Sequence, residues 1–399
     1  MPLTSREHLH LLRAAHFKGP EAVQSWNEWK SMVTVETLGD SSYRVMPLLY
    51  HNIHEQVADA DPLLQICKGT YKRAWYRNQT LFRQVAPVVK SFEESHIPTL
   101  LIKGAPQVLL YYQNHGLRPM DDVDILVPIE KAKKAMELLI QLGWIAWRKE
   151  DPEEIIRTRH SVPYYKRSAE RIDLHWFTNW YCRRPGVDND FWRDSIKLDF
   201  CGVKTRALRP EDQLLHVIAH GVVGQESTAQ WAADSMIIFR KTQTLDWNRF
   251  IRQMQKRRMR LQMLEALTFL KDVLKAPVPS GVLEEIKRIP LRSSEKLYGL
   301  ATDYSWVKVA EPPAPIKEFF KNETIFQKTK PILWKQYIVF YSLCLSSYRE
   351  TLRDAVHKLL GFFSYVQNYY GLKKAWHTPF FLIARKLGFK GKAFVRVRS

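Results

Sequence analysis

Three aspartates define the chemistry open to this chain: Asp122, Asp124 and Asp173. Asp122-Val-Asp124 runs straight into the apolar Ile125-Leu-Val127. Side chains two apart on a strand share a face, so these two carboxylates are expected to project together. Held side by side, they repel unless a cation lies between them. Hard oxygen ligands suit Mg²⁺, with Mn²⁺ as its substitute. The plainer reading of an Asp-x-Asp, a turn with capping carboxylates, fits poorly just before an apolar strand. Asp173 lies in Arg171-Ile-Asp-Leu-His-Trp176, which alternates polar and apolar residues. It is expected as the third carboxylate, either a metal ligand or the base that takes an acceptor's proton. Lys103-Gly104 ends another apolar run and precedes a helix whose free N–H groups favour phosphate. Gly104 is expected to allow close backbone approach and Lys103 to supply a point charge. Such a constellation suits metal-dependent phosphoryl or nucleotidyl transfer. Arg118 is expected either at the leaving pyrophosphate or paired with Asp121. His175 is placed to orient Asp173 two residues before it, or to fill the sheet face, and His160 is a weaker candidate of the same kind.

The elements that must position these residues follow from periodicity. Residues 99–102 predict a short buried strand. Pro106 suits the first turn of a helix, which is expected to run to about Tyr112. Gly116 and Pro119 mark a turn before the second strand. A helix over 130–142, a strand over 144–148, a strand pair near 160–166 and 171–177, and a hairpin turning at Cys201-Gly202 complete the set. Strands that first alternate with helices and then pair as hairpins predict an α+β fold, a mixed sheet with helices packed on one side. Four parts are expected: an N-terminal helical region (1–95), a catalytic core (96–209), a helical domain (210–310) and a basic, aromatic-rich helical region (311–399).

In the first part, residues 62–94 read as one long helix. Trp75, Leu81, Val85 and Val89 are expected to turn inward. Lys72, Arg73, Arg77 and Arg83 form a basic face, either solvated or a wall of the cleft. Ser41 or Ser42 is read as the cap of the following helix. Pro210-Glu-Asp opens a helix with acids in its first turn. His216 and His220 share a face of that helix; packing or hydrogen bonding is preferred to metal ligation, because no third ligand accompanies them. Asp234 is expected to face the cleft.

These residues also resemble a known family. Leu101-Ile-Lys-Gly104, Tyr111, Arg118, Asp122-Val-Asp-Ile-Leu-Val127, Gly143-Trp144 and Ile172-Asp-Leu-His-Trp176 are similar to nucleotidyltransferase family 5, a group of bacterial proteins in the DNA polymerase beta-like nucleotidyltransferase superfamily. Glu211-Asp-Gln-Leu-Leu-His216, His220, Trp231-Ala-Ala-Asp234 and Leu245-Asp-Trp247 resemble its helical part, so the likeness covers roughly residues 25–280. It departs from the wider superfamily in having Ala105 after the glycine and a longer interval from Gly104 to Asp122. The resemblance implies Mg²⁺-dependent transfer of NMP from an NTP such as ATP to a hydroxyl or phosphate acceptor, with release of pyrophosphate. Asp122, Asp124 and Asp173 would then be the catalytic and metal-binding residues, and Lys103, Gly104, Arg118 and His175 would line the nucleotide. The alternatives are another phosphoryl or pyrophosphoryl transfer on the same site, or a non-catalytic nucleotide-, RNA- or membrane-binding module.

The whole chain bounds these readings. Its 399 residues, 45% hydrophobic and 12% aromatic, are enough for two or three domains with ample core. Four scattered cysteines give no zinc spacing and fit a reducing cytosol. With no apolar leader and no spanning stretch, a cytoplasmic protein is expected, with peripheral membrane contact left open; residues 332–345 read as a buried amphipathic helix. Net charge of +20 favours polyanionic partners. From His357 to Ser399 there are nine Lys or Arg and no acid, interleaved with aromatics. This tail is read as a solvated helical subdomain, an anionic membrane contact or a nucleic-acid contact.

Overall fold

The computed structural model describes residues 5–147, 150–166, 171–224, 229–292 and 295. Residues Pro2–Pro290 form one compact unit and Leu291–Ser399 belong to another. The expectations for 312–315, 332–345, Cys344 and the basic tail fall outside the described residues.

The chain opens with α1 (Arg6–His16), α2 (Gly19–Lys30), α3 (Asp40–Tyr43) and α4 (Met46–Ile53). Ser41 and Ser42 lie inside α3 rather than at a cap; the Ser42 hydroxyl instead donates to Glu7 across to α1. The long helix α5 (Pro62–Glu94) starts where Asp61 accepts from the N–H groups of Leu63 and Leu64, with Pro62 in the first turn. Its interior Pro87 sits on the exposed side. Leu81, Phe82, Val85, Val89 and Phe92 form its buried stripe. Trp75 is not among them: it is 47% exposed, because Ala74 and Asn78 take the inward positions of that turn.

Seven strands follow: β1 (Leu100–Ile102), β2 (Val123–Leu126), β3 (Ile145–Ala146), β4 (Ser161–Tyr165), β5 (Arg171–His175), β6 (Ile196–Phe200) and β7 (Val203–Ala207). They form one mixed sheet in the order β3-β4-β5-β2-β1-β7-β6. β2 runs parallel to β5 and antiparallel to β1. Alternation divides the strand residues between two faces. Val123, Ile125, Ile172 and Leu174 join the core with α5 and with Ala132, Ala135, Met136 and Leu139 of α7 (Ala132–Gln141). The opposite face carries Asp124, Asp173 and His175. Between β1 and β2 the chain makes a turn of helix, α6 (Gly104–Pro106), that widens into a π-helical segment at Gln107–Tyr112.

Two short helices, α8 (Pro152–Thr158) and α9 (Asn189–Arg193), lie between strands. After the sheet come α10 (Pro210–Gly224), α11 (Gln230–Lys241), α12 (Trp247–Arg257), α13 (Arg260–Leu274) and α14 (Ser280–Arg288). The acids that open α10 tie helices together: Asp212 takes three hydrogen bonds from Arg249 on α12, at 2.7–3.0 Å, and Glu211 accepts from the backbone N–H of Asp246 at 2.9 Å. Among the described residues, no helix is long and apolar enough to cross a membrane.

Candidate active site

The parallel register of β2 and β5 sets Asp124 directly beside Asp173, and Leu126 beside His175. Adjacent positions on neighbouring strands face the same way, so the two carboxylates meet on one sheet face. Asp124 and His175 are buried, and Asp173 is partly covered. Asp124, Asp173 and His175 each offer one ligand atom within 4.8 Å of the others. His175 bridges the acids: its Nε2 is 2.9 Å from Asp173 Oδ2 and 3.1 Å from Asp124 Oδ1. Burial disfavours its charged form, but the two carboxylates prevail and push its pKa up to about 9. Its other ring nitrogen is 3.3 Å from the Phe177 carbonyl oxygen.

Lys103 supplies the second cation. It leaves β1 with φ 54° and ψ −117°, a conformation strained for a non-glycine residue and of a kind that clusters at functional sites. Its Nζ donates to Asp124 Oδ1 at 2.6 Å and lies 4.0 Å from Asp173 Oδ2. Burial alone would lower the Lys103 pKa, but Asp124, Asp173 and Asp122 together raise it. Burial alone would likewise raise Asp124, yet Lys103 and His175 hold it well below the usual carboxylate range. Asp122, just before β2, lines the same cavity. Burial, and then the charge of Asp124, push its pKa up to about 7.

The cavity in front of these groups measures about 430 Å³. Lys103, Gly104, Arg118, Asp122, Asp124 and Asp173 all line it, together with Arg44, Arg171, His220 and Asp234. His175 meets the cluster through Asp124 and Asp173 and is not part of the lining. Arg118 does not pair with Asp121, as expected from sequence. It makes a bidentate bond to Asp234 on α11, with Nε and Nη2 2.9 Å from Oδ1 and Oδ2, and the Tyr112 hydroxyl donates to the same carboxylate at 2.9 Å. Asp121 instead holds Arg44, at 2.6 Å, and Arg77, at 3.7 Å. Arg77 of the basic face thus braces the loop entering β2, donating also to the Met120 carbonyl oxygen at 2.9 Å. Gly104 lies close under Arg118 and Met120: a Cβ there would sit 2.6 Å from the Arg118 guanidinium and 3.0 Å from the Met120 methyl, so those side chains would have to shift.

His216 and His220 stack with ring centroids 6.4 Å apart on α10 and do not join the metal-ligating group. His160 packs edge-on against His175 at 5.3 Å; burial, followed by the charge of His175, lowers its pKa to about 3. Arg44 and the Gln213 side chain, which donates to the Lys103 carbonyl oxygen at 3.2 Å, were not singled out from sequence. Neither carries a local pattern that links it to its partner, Asp121 at 77 residues from Arg44 and Lys103 at 110 from Gln213.

A divalent ion fits this donor set. Oδ1 of Asp173 is buried without a hydrogen-bond partner, and the acids already gather two cationic side chains. Oxygen donors of this kind suit Mg²⁺ or Mn²⁺.

No curated protein matches the chain. Among solved structures, it is similar to an antigenic nucleotidyltransferase-like protein from Paracoccidioides brasiliensis, at 17% identity and a TM-score of 0.35, over 51% of this chain and 92% of that one. It is also similar to the antibiotic-resistance factor ANT(2'')-Ia, at 14% identity and a TM-score of 0.32, over 47% of this chain and 96% of that one. A family model described as an uncharacterised nucleotidyltransferase matches residues 41–275, more than half of the sequence and all of the sheet. The chain belongs to this family of nucleotidyltransferases.

Proposed function

We propose that this protein is a Mg²⁺-dependent enzyme that moves NMP from an NTP to a hydroxyl or phosphate acceptor and releases pyrophosphate. The observation that carries the reading is the convergence of Asp124, Asp173 and His175 within 4.8 Å on one sheet face, with Asp122 lining the same cavity. Asp122, Asp124 and Asp173 would hold the metal, which supplies charge neutralisation for the triphosphate. In the reaction an acceptor oxygen bonds to the α-phosphorus while the bond from that phosphorus to the bridging oxygen breaks, and pyrophosphate leaves. Asp173, kept ionised by His175, takes the acceptor's proton. His175 fixes Asp173 and Asp124 in register through its Nε2. Lys103, once released from Asp124, meets the phosphates as a point charge. Arg118, anchored by Asp234, shapes the wall beside Gly104.

The acceptor is left as a class. The basic segment from His357 onward lies outside the described residues; an anionic membrane surface or nucleic acid is its proposed partner. Calorimetric titration with a non-transferable NTP analogue tests the site. Binding should require Mg²⁺ or Mn²⁺ and be lost in Asp122→Asn/Asp124→Asn. Metal-independent binding of equal strength in that variant would refute the assignment.

A further inference from the structure

A second cavity, of about 400 Å³, shares no lining residue with the first and is walled by the end of α1 and the segment after it, by α11 and by the end of α13. Three cations line it, Lys18, Arg240 and Lys275, against one acid, Glu21. None of the three cations has a carboxylate partner among the described residues. Lys18 donates to the Asn52 side-chain oxygen at 2.6 Å, Lys275 to the Asp272 carbonyl oxygen at 3.0 Å, and Arg240 to the His16 carbonyl oxygen. Uncompensated like charges around one hollow repel, and an anion between them relieves this.

His16 forms part of the same wall. It is 2% exposed, and neither ring nitrogen has a hydrogen-bond partner. Buried polar groups are rarely left so, and an unsatisfied one calls for a ligand, an ion or water. The rest of the lining is apolar, including Phe17, Phe239 and Leu274. A hollow of this size, mostly apolar with a few converging polar groups, is the usual form of a small-molecule site. Arginine and lysine together suit phosphate, the arginine through its bidentate fork.

We propose that this cavity binds a small organic phosphate, with the phosphate held by Arg240, Lys18 and Lys275 and the carbon skeleton laid against Phe17, Phe239 and Leu274. It is distinct from the candidate active site, although α11 reaches both: Arg240 stands in this cavity and Asp234 in the other.

The test is calorimetric titration of the full chain with phenyl phosphate, in the presence of a chelator so that the metal site is empty. The parent should bind phenyl phosphate more tightly than inorganic phosphate. Arg240→Gln/Lys275→Asn should weaken binding about tenfold or more, as expected for loss of charged hydrogen bonds. Lys18→Gln, at an exposed position, should weaken it in the same direction. Arg44→Gln, in the lining of the first cavity, should bind as the parent does. The proposal is overturned if the parent fails to bind, if the double variant binds as the parent does, or if Arg44→Gln loses binding, which would place the probe in the other cavity. Inorganic phosphate binding as tightly as phenyl phosphate would overturn the apolar half of the site.

Discussion

The Lys103 ammonium lies 2.6 Å from Oδ1 of Asp124, at the point where two strand-borne carboxylates come together. With the His175 ring, this contact offsets the repulsion between two acids on a buried sheet face. Lys103 and His175 divide the cation's work between them. A divalent ion held by Asp124 and Asp173 would compete for the oxygens those two side chains hold.

The first prediction follows directly. In Lys103→Met, Asp124 keeps its burial but loses its main cation. Breaking a buried pair from one side costs about 3–5 kcal/mol. Chemical denaturation under metal-free conditions should show a loss of that size. Saturating Mn²⁺ should then raise the variant's Tm by more than it raises the parent's. An equal metal response in both proteins would mean that Lys103 does not stand in for the ion.

Arg118 and Asp234 give the second. They are 116 residues apart, so nothing local in the sequence joins them. Arg118→Ala should destabilise by about 3–5 kcal/mol, because it leaves a buried carboxylate unpaired. Arg118→Met/Asp234→Leu should recover most of that loss, while NTP binding stays impaired. A double variant as unstable as the single one would show that the pair's worth lies in packing and not in charge.

Gly104 gives the third. Its missing side chain leaves room for the Arg118 guanidinium, 2.6 Å from where a Cβ would stand. Gly104→Val should cost about 1–3 kcal/mol through overpacking and weaken binding of an NTP analogue. A folded variant with unchanged affinity would place the triphosphate elsewhere.

The fourth concerns acid. Burial, then the charges of Arg240 and Lys18, hold His16 well below its ordinary pKa, so the folded state keeps it neutral while the unfolded chain protonates near pH 6.5. A base with a depressed folded pKa loses stability as pH falls below its unfolded value. The slope approaches about 1.4 kcal/mol per pH unit. His175 has the opposite sign: its contribution is present below about pH 6.5 and is lost as pH rises towards 9. Denaturation of parent and His16→Phe between about pH 7 and 5 should show a shallower loss in the variant. Parallel profiles would contradict the assignment.

Much of the core was legible because it obeys short-range rules. The alternation around Asp173 and the Cys201-Gly202 turn both act within a few residues. The α+β sheet followed from the order of such segments. What escaped depends on distant partners. Arg118 has both Asp121 and Asp234 as chemically adequate partners, and only the fold brings Asp234 near. Trp75 carries the helical spacing of a core residue, but it falls beside the stripe that Ala74, Asn78 and Leu81 complete. The Arg118 guanidinium that a Cβ at Gly104 would meet has no signal near Gly104 in the sequence.

Whether this site transfers a nucleotidyl group is read from the fate of the label of an NTP. The full chain would be incubated with Mg²⁺, a pool of hydroxyl- and phosphate-bearing acceptors, and an NTP labelled either at its α-phosphate or at its γ-phosphate. Label should reach an acceptor from the α position only, pyrophosphate should accumulate in equal amount, and Asp122→Asn/Asp124→Asn should abolish both. Transfer of label from the γ position, or α-label transfer that survives in the double variant, would contradict it.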